Sequence, residues 1–245
     1  MPNPNQAPVE PVAKWYSIRN SARPGASASA AAAEILIYGD IGESWYGDTI
    51  AAKDFVREVA ALDVENIIVR INSYGGSVTD GIAIHNALKR HKASVTTVVD
   101  GIAASISSLI AMAGDTVEMA ENAMLMMHAP WGGQVGNSAA MRDYADMLDS
   151  WADAMSTTYA SKTGADKAAI LALLTDGKDH WYTAEQALAD NFIDVIVAGL
   201  PIAAAANLNV SIKARFASFP LPTTPAASVA PPQSTKPKES ITMPA

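Results

Sequence analysis

Ser105 stands where a β-branched run, Ser94 to Asp100, turns through Gly101 into an apolar segment starting at Ala103. A serine at such a junction lies beside the unpaired backbone N–H groups and the positive end of a helix start. Small neighbours at Ala103 and Ala104 leave room for a substrate backbone. This is the setting of a nucleophile elbow, although the G-x-S-x-G pattern itself is absent. The competing reading is a small core serine that packs the helix against the sheet.

A serine nucleophile needs a base. Of the four histidines, His85 and His91 lie near Lys89, Arg90 and Lys92 and read as residues of a solvated helix face. His128 differs, because it ends the apolar run Met124-Leu125-Met126-Met127 and precedes Ala129-Pro130-Trp131-Gly132-Gly133. An imidazole placed where a buried strand stops is well located for general-base work, or for a structural hydrogen bond. The base in turn needs an acceptor on its far nitrogen. Asp176 and Asp179, both in the turn Asp176-Gly177-Lys178-Asp179-His180, are equal candidates on residue type alone. Gly75 and Gly76, after the strand-like Asn66 to Ile71, let the backbone aim N–H groups at a developing oxyanion, though turns use Gly-Gly freely.

The elements that position these residues follow from the hydrophobic pattern. Strands are predicted over 34–38, 66–71, 94–100, 116–119, 123–127 and 192–197. Helices are predicted over 51–62, 79–91, 103–113, 137–162, 166–174 and 184–190. Strands alternating with helices imply an α/β domain with a mostly parallel sheet, its ligand-facing groups at the carboxyl ends of the strands. Residues 1–32 and 203–245 are rich in Pro, Ala and Ser and are expected to be a flexible N-terminal segment and a disordered tail. That leaves 33–202 as one domain.

Composition excludes several classes. The net charge is −8, and no basic cluster longer than Lys89-Arg90-His91-Lys92 appears, which argues against a nucleic-acid groove. Cysteine is absent, so disulfides and thiolate chemistry are out, in keeping with a reducing cytoplasm. The start of the chain lacks the basic and apolar regions of a signal peptide, and the longest apolar stretch, Ile102 to Ala113, is too short for a membrane span.

Taken together, the motifs resemble the Clp protease proteolytic-subunit family. The family's I-N-S-P-G-G turn appears as Ile71-Asn72-Ser73-Tyr74-Gly75-Gly76, and its G-x-A-A-S segment as Gly101-Ile102-Ala103-Ala104-Ser105. Its M-x-H-x-P-x-G-G segment appears as Met126 to Gly133, and its last segment as Asp179 to Ala187. The motifs occur in the family's order across residues 34–198. The resemblance implies a ClpP/crotonase-like fold and a serine endopeptidase. Ser105 would be the nucleophile, His128 the base and Asp179 the orienting acid. The N–H groups of Gly76 and Ile106 would form the oxyanion hole, and Gly75, Gly132 and Gly133 would line the substrate backbone.

It also implies a ring-forming homo-oligomer acting on protein or peptide substrates, with no metal and no cofactor. Because no Walker-type loop is present, ATP dependence would belong to a separate unfoldase. Within the family, Trp15-Tyr16, the segment Gly81 to Leu88, the Asp179-His180-Trp181-Tyr182 turn and the low-complexity ends are most like phage head maturation proteases, which process capsid and scaffold proteins in the host cytoplasm. Two departures stand out: Tyr74 replaces the turn proline, and Asp179 stands where Glu is frequent. The apolar stripe of the 137–162 helix serves either ring contacts or its own core. Competing functions are a crotonase-like acyl-CoA hydratase or isomerase, a Ser–Lys protease with Lys89 or Lys92 as base, and a non-enzymatic capsid scaffold or interaction protein.

Overall fold

The structure, a computed structural model, describes residues 14–21, 32–42 and 52–198. In chain order, β1 (Tyr16–Ser21), β2 (Ala32–Tyr38) and α1 (Ala52–Ala60) lead into β3 (Asn66–Ser73), α2 (Val78–Lys89) and β4 (Ser94–Ala104). Then come α3 (Ile106–Ala111), β5 (Thr116–Ala120), β6 (Met124–Met127) and the long α4 (Ser138–Thr163). The chain continues through α5 (Lys167–Leu174), β7 (His180–Thr183) and α6 (Ala184–Ala189) to β8 (Val195–Val197). The eight strands among the described residues form one sheet in the order β1-β2-β3-β4-β5-β8, with β6 pairing β4 and β7 pairing β6. Among the described residues, the pairs β2–β3, β3–β4, β4–β5, β4–β6 and β5–β8 are parallel, and only β1–β2 and β6–β7 are antiparallel. This is the mixed α/β fold, a mostly parallel sheet with flanking helices, that the sequence implies.

Alternation of side chains sets one face of the sheet against the helices. Ile35 and Ile37 of β2, with Ile67, Val69 and Ile71 of β3, are fully buried. They meet Phe55 and Val59 of α1, Ile84 and Leu88 of α2, and Leu109 and Ile110 of α3 in one core. Each such side chain contributes about 1.5–3 kcal/mol by leaving water. The helices start where their caps dictate. The side chain of Ser77 accepts from Asp80 N, that of Asn137 from Ala139 N and Ala140 N, and Thr183 forms a capping box with Gln186. Gly164, at φ +74°, ends α4 in the left-handed conformation. Among the described residues, no helix is long and apolar enough to cross a membrane.

Three expectations are corrected. The N-terminal segment expected to be flexible contains β1, pinned by Trp15 and Tyr16, which are buried against Phe55 with ring centroids 5.6 and 5.1 Å away. The rest of 1–32, apart from the described residues, and all of 203–245 lie outside the described structure. The strand predicted over 94–100 runs on to Ala104, so the following helix begins at Ile106 rather than at 103. The turn after α5 closes into a strand of its own, β7, while the last strand shrinks to Val195–Val197 because Phe192 and Ile193 turn into the core instead.

Candidate active site

The extension of β4 explains where Ser105 stands. Ile102, Ala103 and Ala104 pair with Met124, Leu125 and Met126 of β6, which carries the strand up to the serine. Ser105 is then the N-cap of α3, at φ +55° and ψ −132°. A residue with a Cβ in that region is strained by about 1–3 kcal/mol and persists only when its surroundings hold it. They do: Ser105 N donates to Met126 O at 3.0 Å, and Ser105 O accepts from Ser108 N at 3.0 Å. Ser105 as a whole is half-buried.

His128 follows the last residue of β6 and comes to the same edge. Its Nε2 lies 2.8 Å from Ser105 Oγ, and its Nδ1 lies 3.0 Å from Asp179 Oδ1. The His128 side chain is 18% exposed and that of Asp179 35%, so the pair is partly screened but reachable. An ionised carboxylate only accepts, which makes Nδ1 the donor and leaves Nε2 free to take the serine proton. The rival carboxylate is occupied elsewhere. Asp176 Oδ1 accepts from Lys178 N at 2.9 Å and lies 3.0 Å from His180 Nε2.

The glycine turn packs directly against the serine. A Cβ added at Gly75, where φ is +102°, would lie 2.7 Å from Ser105 Cβ and 3.2 Å from Ile106 N. Only glycine fits there. Ile41 clamps the turn from the other side: its N–H donates to Gly75 O and its carbonyl accepts from Ser77 N, both at 2.9 Å. The Gly75 N–H donates to Ser73 Oγ at 3.1 Å. In such a parallel bridge the Gly76 N–H points away from Ile41, which bonds Gly75 and Ser77 instead. Gly132 and Gly133 lie in the exposed loop after His128; Gly132 backs onto the Tyr144 hydroxyl, while Gly133 has open space around it.

Sequence reasoning missed the clamp at Ile41, the backbone anchor at Met126 and the buried hydroxyls of Ser107 and Ser108 beneath the turn. Ser107 Oγ bonds Ser73 O at 2.8 Å and Ala104 O at 2.7 Å, tying the glycine turn to the end of β4. Nothing in residue type announces a backbone anchor, but a Ser-Ile-Ser-Ser run in an apolar segment marks hydroxyls that must find buried partners. His91, expected on a solvated face, instead sits 3.2 Å from Leu62 O and accepts from Ala93 N at 3.0 Å, bracing the α2–β4 connection.

The family model for Clp protease matches residues 27–199. The chain belongs to the Clp protease family. It is 35% identical over 167 residues to the ATP-dependent Clp protease proteolytic subunit of Leuconostoc citreum (strain KM20), covering 66% of this chain and 82% of that one. It is 30% identical over 162 residues to ATP-dependent Clp protease proteolytic subunit 2 of Tropheryma whipplei (strain Twist), covering 62% and 88% respectively. Membership of the Clp protease family fits a serine protease, and it matches a sheet edge that carries a strained serine beside a histidine.

Proposed function

We propose that this chain is a serine endopeptidase in which Ser105 attacks the scissile carbonyl. His128 takes the hydroxyl proton and returns it to the leaving amine, and Asp179 fixes the imidazole tautomer and stabilises its charged form. Water then hydrolyses the acyl-enzyme with His128 again as base. The N–H groups of Gly76 and Ile106 stabilise the oxyanion. Gly75, Gly132 and Gly133 admit the substrate backbone. The chemistry calls for no metal or nucleotide. One observation carries the reading: the unbroken contact from Asp179 Oδ1 through both nitrogens of His128 to Ser105 Oγ, at 3.0 and 2.8 Å. A crotonase-like reaction would give that relay nothing to do.

The test is covalent. A fluorophosphonate probe should label Ser105, identified by peptide mass spectrometry, and Ser105→Ala should abolish both labelling and peptide cleavage. Labelling of another serine, or cleavage by Ser105→Ala, defeats the assignment.

The assembly we propose is a homo-oligomeric ring, supported by α4. Its buried residues, Ala152, Met155, Ser156 and Tyr159, all fall in the second half, while Met141 and Met147 in the first half are 52% and 42% exposed. Light scattering on the full chain checks it; a monomer at micromolar concentration would refute the ring. The relatives are named ATP-dependent, and the sequence has no Walker-type loop, so a separate unfoldase supplies any nucleotide step. The substrate class we propose, capsid and scaffold proteins of a phage head, rests on the likeness of Trp15-Tyr16, Gly81 to Leu88, the Asp179-His180-Trp181-Tyr182 turn and the low-complexity ends. Coexpression with such proteins, read by mass spectrometry, tests it. Intact head proteins beside an enzyme that cleaves model peptides would remove this substrate class alone.

A further inference from the structure

A chain of buried hydroxyls reaches the nucleophile from behind. Tyr159, on the inner half of α4, is fully buried, and its hydroxyl lies 2.8 Å from Ser108 Oγ. Ser108, also fully buried, places its Oγ 2.6 Å from Ser105 O. A carbonyl oxygen can only accept, so the single hydroxyl hydrogen of Ser108 goes to Ser105 O. The hydrogen between the two side chains therefore comes from Tyr159. The direction is fixed: Tyr159 donates to Ser108, and Ser108 donates to the Ser105 carbonyl. Burial raises the Tyr159 phenol well above its ordinary value, which keeps it a donor across neutral and mildly alkaline pH. Neither hydroxyl is required for packing, since alanine and phenylalanine would fill nearly the same space.

The carbonyl of Ser105 and the N–H of Ile106 belong to one planar amide. Whatever orients the oxygen orients the N–H on the opposite side. Hydrogen bonds arriving at an amide oxygen also polarise the group and strengthen its N–H as a donor. We infer that Tyr159 and Ser108 are positioning residues that orient and polarise the Ser105–Ile106 peptide, sharpening the Ile106 N–H for the oxyanion. The inference rests on the oxyanion role proposed above for Ile106. It also accounts for how a strained serine stays fixed: its amide is anchored by Met126, and its carbonyl by Ser108 through two hydrogen bonds.

The experiment compares Tyr159→Phe, Ser108→Ala and the double variant in the full chain, with circular dichroism to confirm folding. Removing a whole oxyanion donor costs about 10²–10³-fold in kcat; weakening one should cost less. Ser108→Ala is expected to lower kcat about 10-fold and Tyr159→Phe about 3-fold, with KM unchanged. The double variant should be no worse than Ser108→Ala, because Tyr159 acts only through Ser108. Affinity for a peptide aldehyde, whose hemiacetal oxygen takes the oxyanion position, should fall by the same factors, while affinity for a product peptide stays level. A merely structural role would not make aldehyde affinity track kcat.

Folded variants with kcat and aldehyde affinity within twofold of wild type overturn the relay. Fluorophosphonate labelling separates the two readings: a wild-type protein that is not labelled at Ser105 refutes the nucleophile, whereas labelled variants with undiminished kcat refute only the relay. If Ser108→Ala does not fold, Tyr159→Phe decides alone. It keeps the ring and its edge-on contact with Phe192, whose centroid is 6.2 Å away.

Discussion

Asp179 stands opposite His128 because each is the next residue beyond the last β6–β7 pair, Met127 with His180. The antiparallel register thus delivers the carboxylate to the imidazole without any further device. Asp176, three residues earlier, has turned away to bond Lys178 N and His180. Substitution should separate the two acids. Asp179→Asn leaves the geometry but offers His128 a donor in place of an acceptor, and kcat should fall by about 10⁴-fold. Asp176→Asn keeps an oxygen for Lys178 N and should leave kcat near wild type. Peptide-cleavage kinetics of the two variants check this; the reverse order of losses would reassign the acid.

The sequence made two strand ends legible because apolar runs stop abruptly at Asn72 and His128, and polar residues after buried strands have few reasons to be there. It left the acid open because the choice between Asp176 and Asp179 depends on the register of β7, four residues that read as part of a turn. The end of β4 was hidden for a different reason. Gly101, Ala103 and Ala104 are poor strand formers, and pairing with β6 overrides their preference. β1 was hidden because Ser17, Arg19, Asn20 and Ser21 give it a polar composition; it is held by β2 and by the burial of Trp15 and Tyr16. The Tyr159–Ser108 contact spans 51 residues and two helices, and no local pattern encodes it.

The backbone of Ser105 predicts an exchange of stability for function. At φ +55° and ψ −132° a Cβ is strained by about 1–3 kcal/mol. Glycine relieves that strain but loses about 0.4–1 kcal/mol through the greater freedom of the unfolded chain. Ser105→Gly should therefore be about 1 kcal/mol more stable than Ser105→Ala, with both inactive. Denaturant unfolding compares them, and an alanine variant as stable as the glycine one would mean the turn is unstrained.

Gly76 and Gly133 should respond to alanine in opposite ways. A Cβ at Gly76 would lie 2.2 Å from Ile41 O, with φ at +150°, so the clamp must open. Gly76→Ala should destabilise the protein by about 1–3 kcal/mol and abolish cleavage. Gly133 has nothing within 4 Å of its added Cβ, and Gly133→Ala should change stability by no more than about 0.5 kcal/mol. Denaturation midpoints of the two variants decide, and equal destabilisation would contradict the clamp.

Tyr38 links the sheet to alkaline pH. Its hydroxyl donates to Asp100 Oδ2 at 2.6 Å, and the same carboxylate is held by Arg70, whose Nε is 2.8 Å from Oδ2. Burial, together with the hydrogen bond and the charge of Asp100, pushes the Tyr38 phenol up to about 12. The folded value thus lies above the ordinary one of 10.0. Folding then favours the protonated phenol, and its contribution is complete below pH 10 and disappears as pH rises through 12. Stability should therefore fall across that window. Tyr38→Phe should flatten the fall while costing about 1 kcal/mol at neutral pH through the lost hydrogen bond. Tyr16, Tyr159 and Tyr182 are raised as well, so part of the slope persists in the variant. Denaturation midpoints at pH 8, 10 and 12, with phenolate absorbance followed in parallel, test the point. A variant as steep as wild type between pH 10 and 12 would show that Tyr38 does not carry its share.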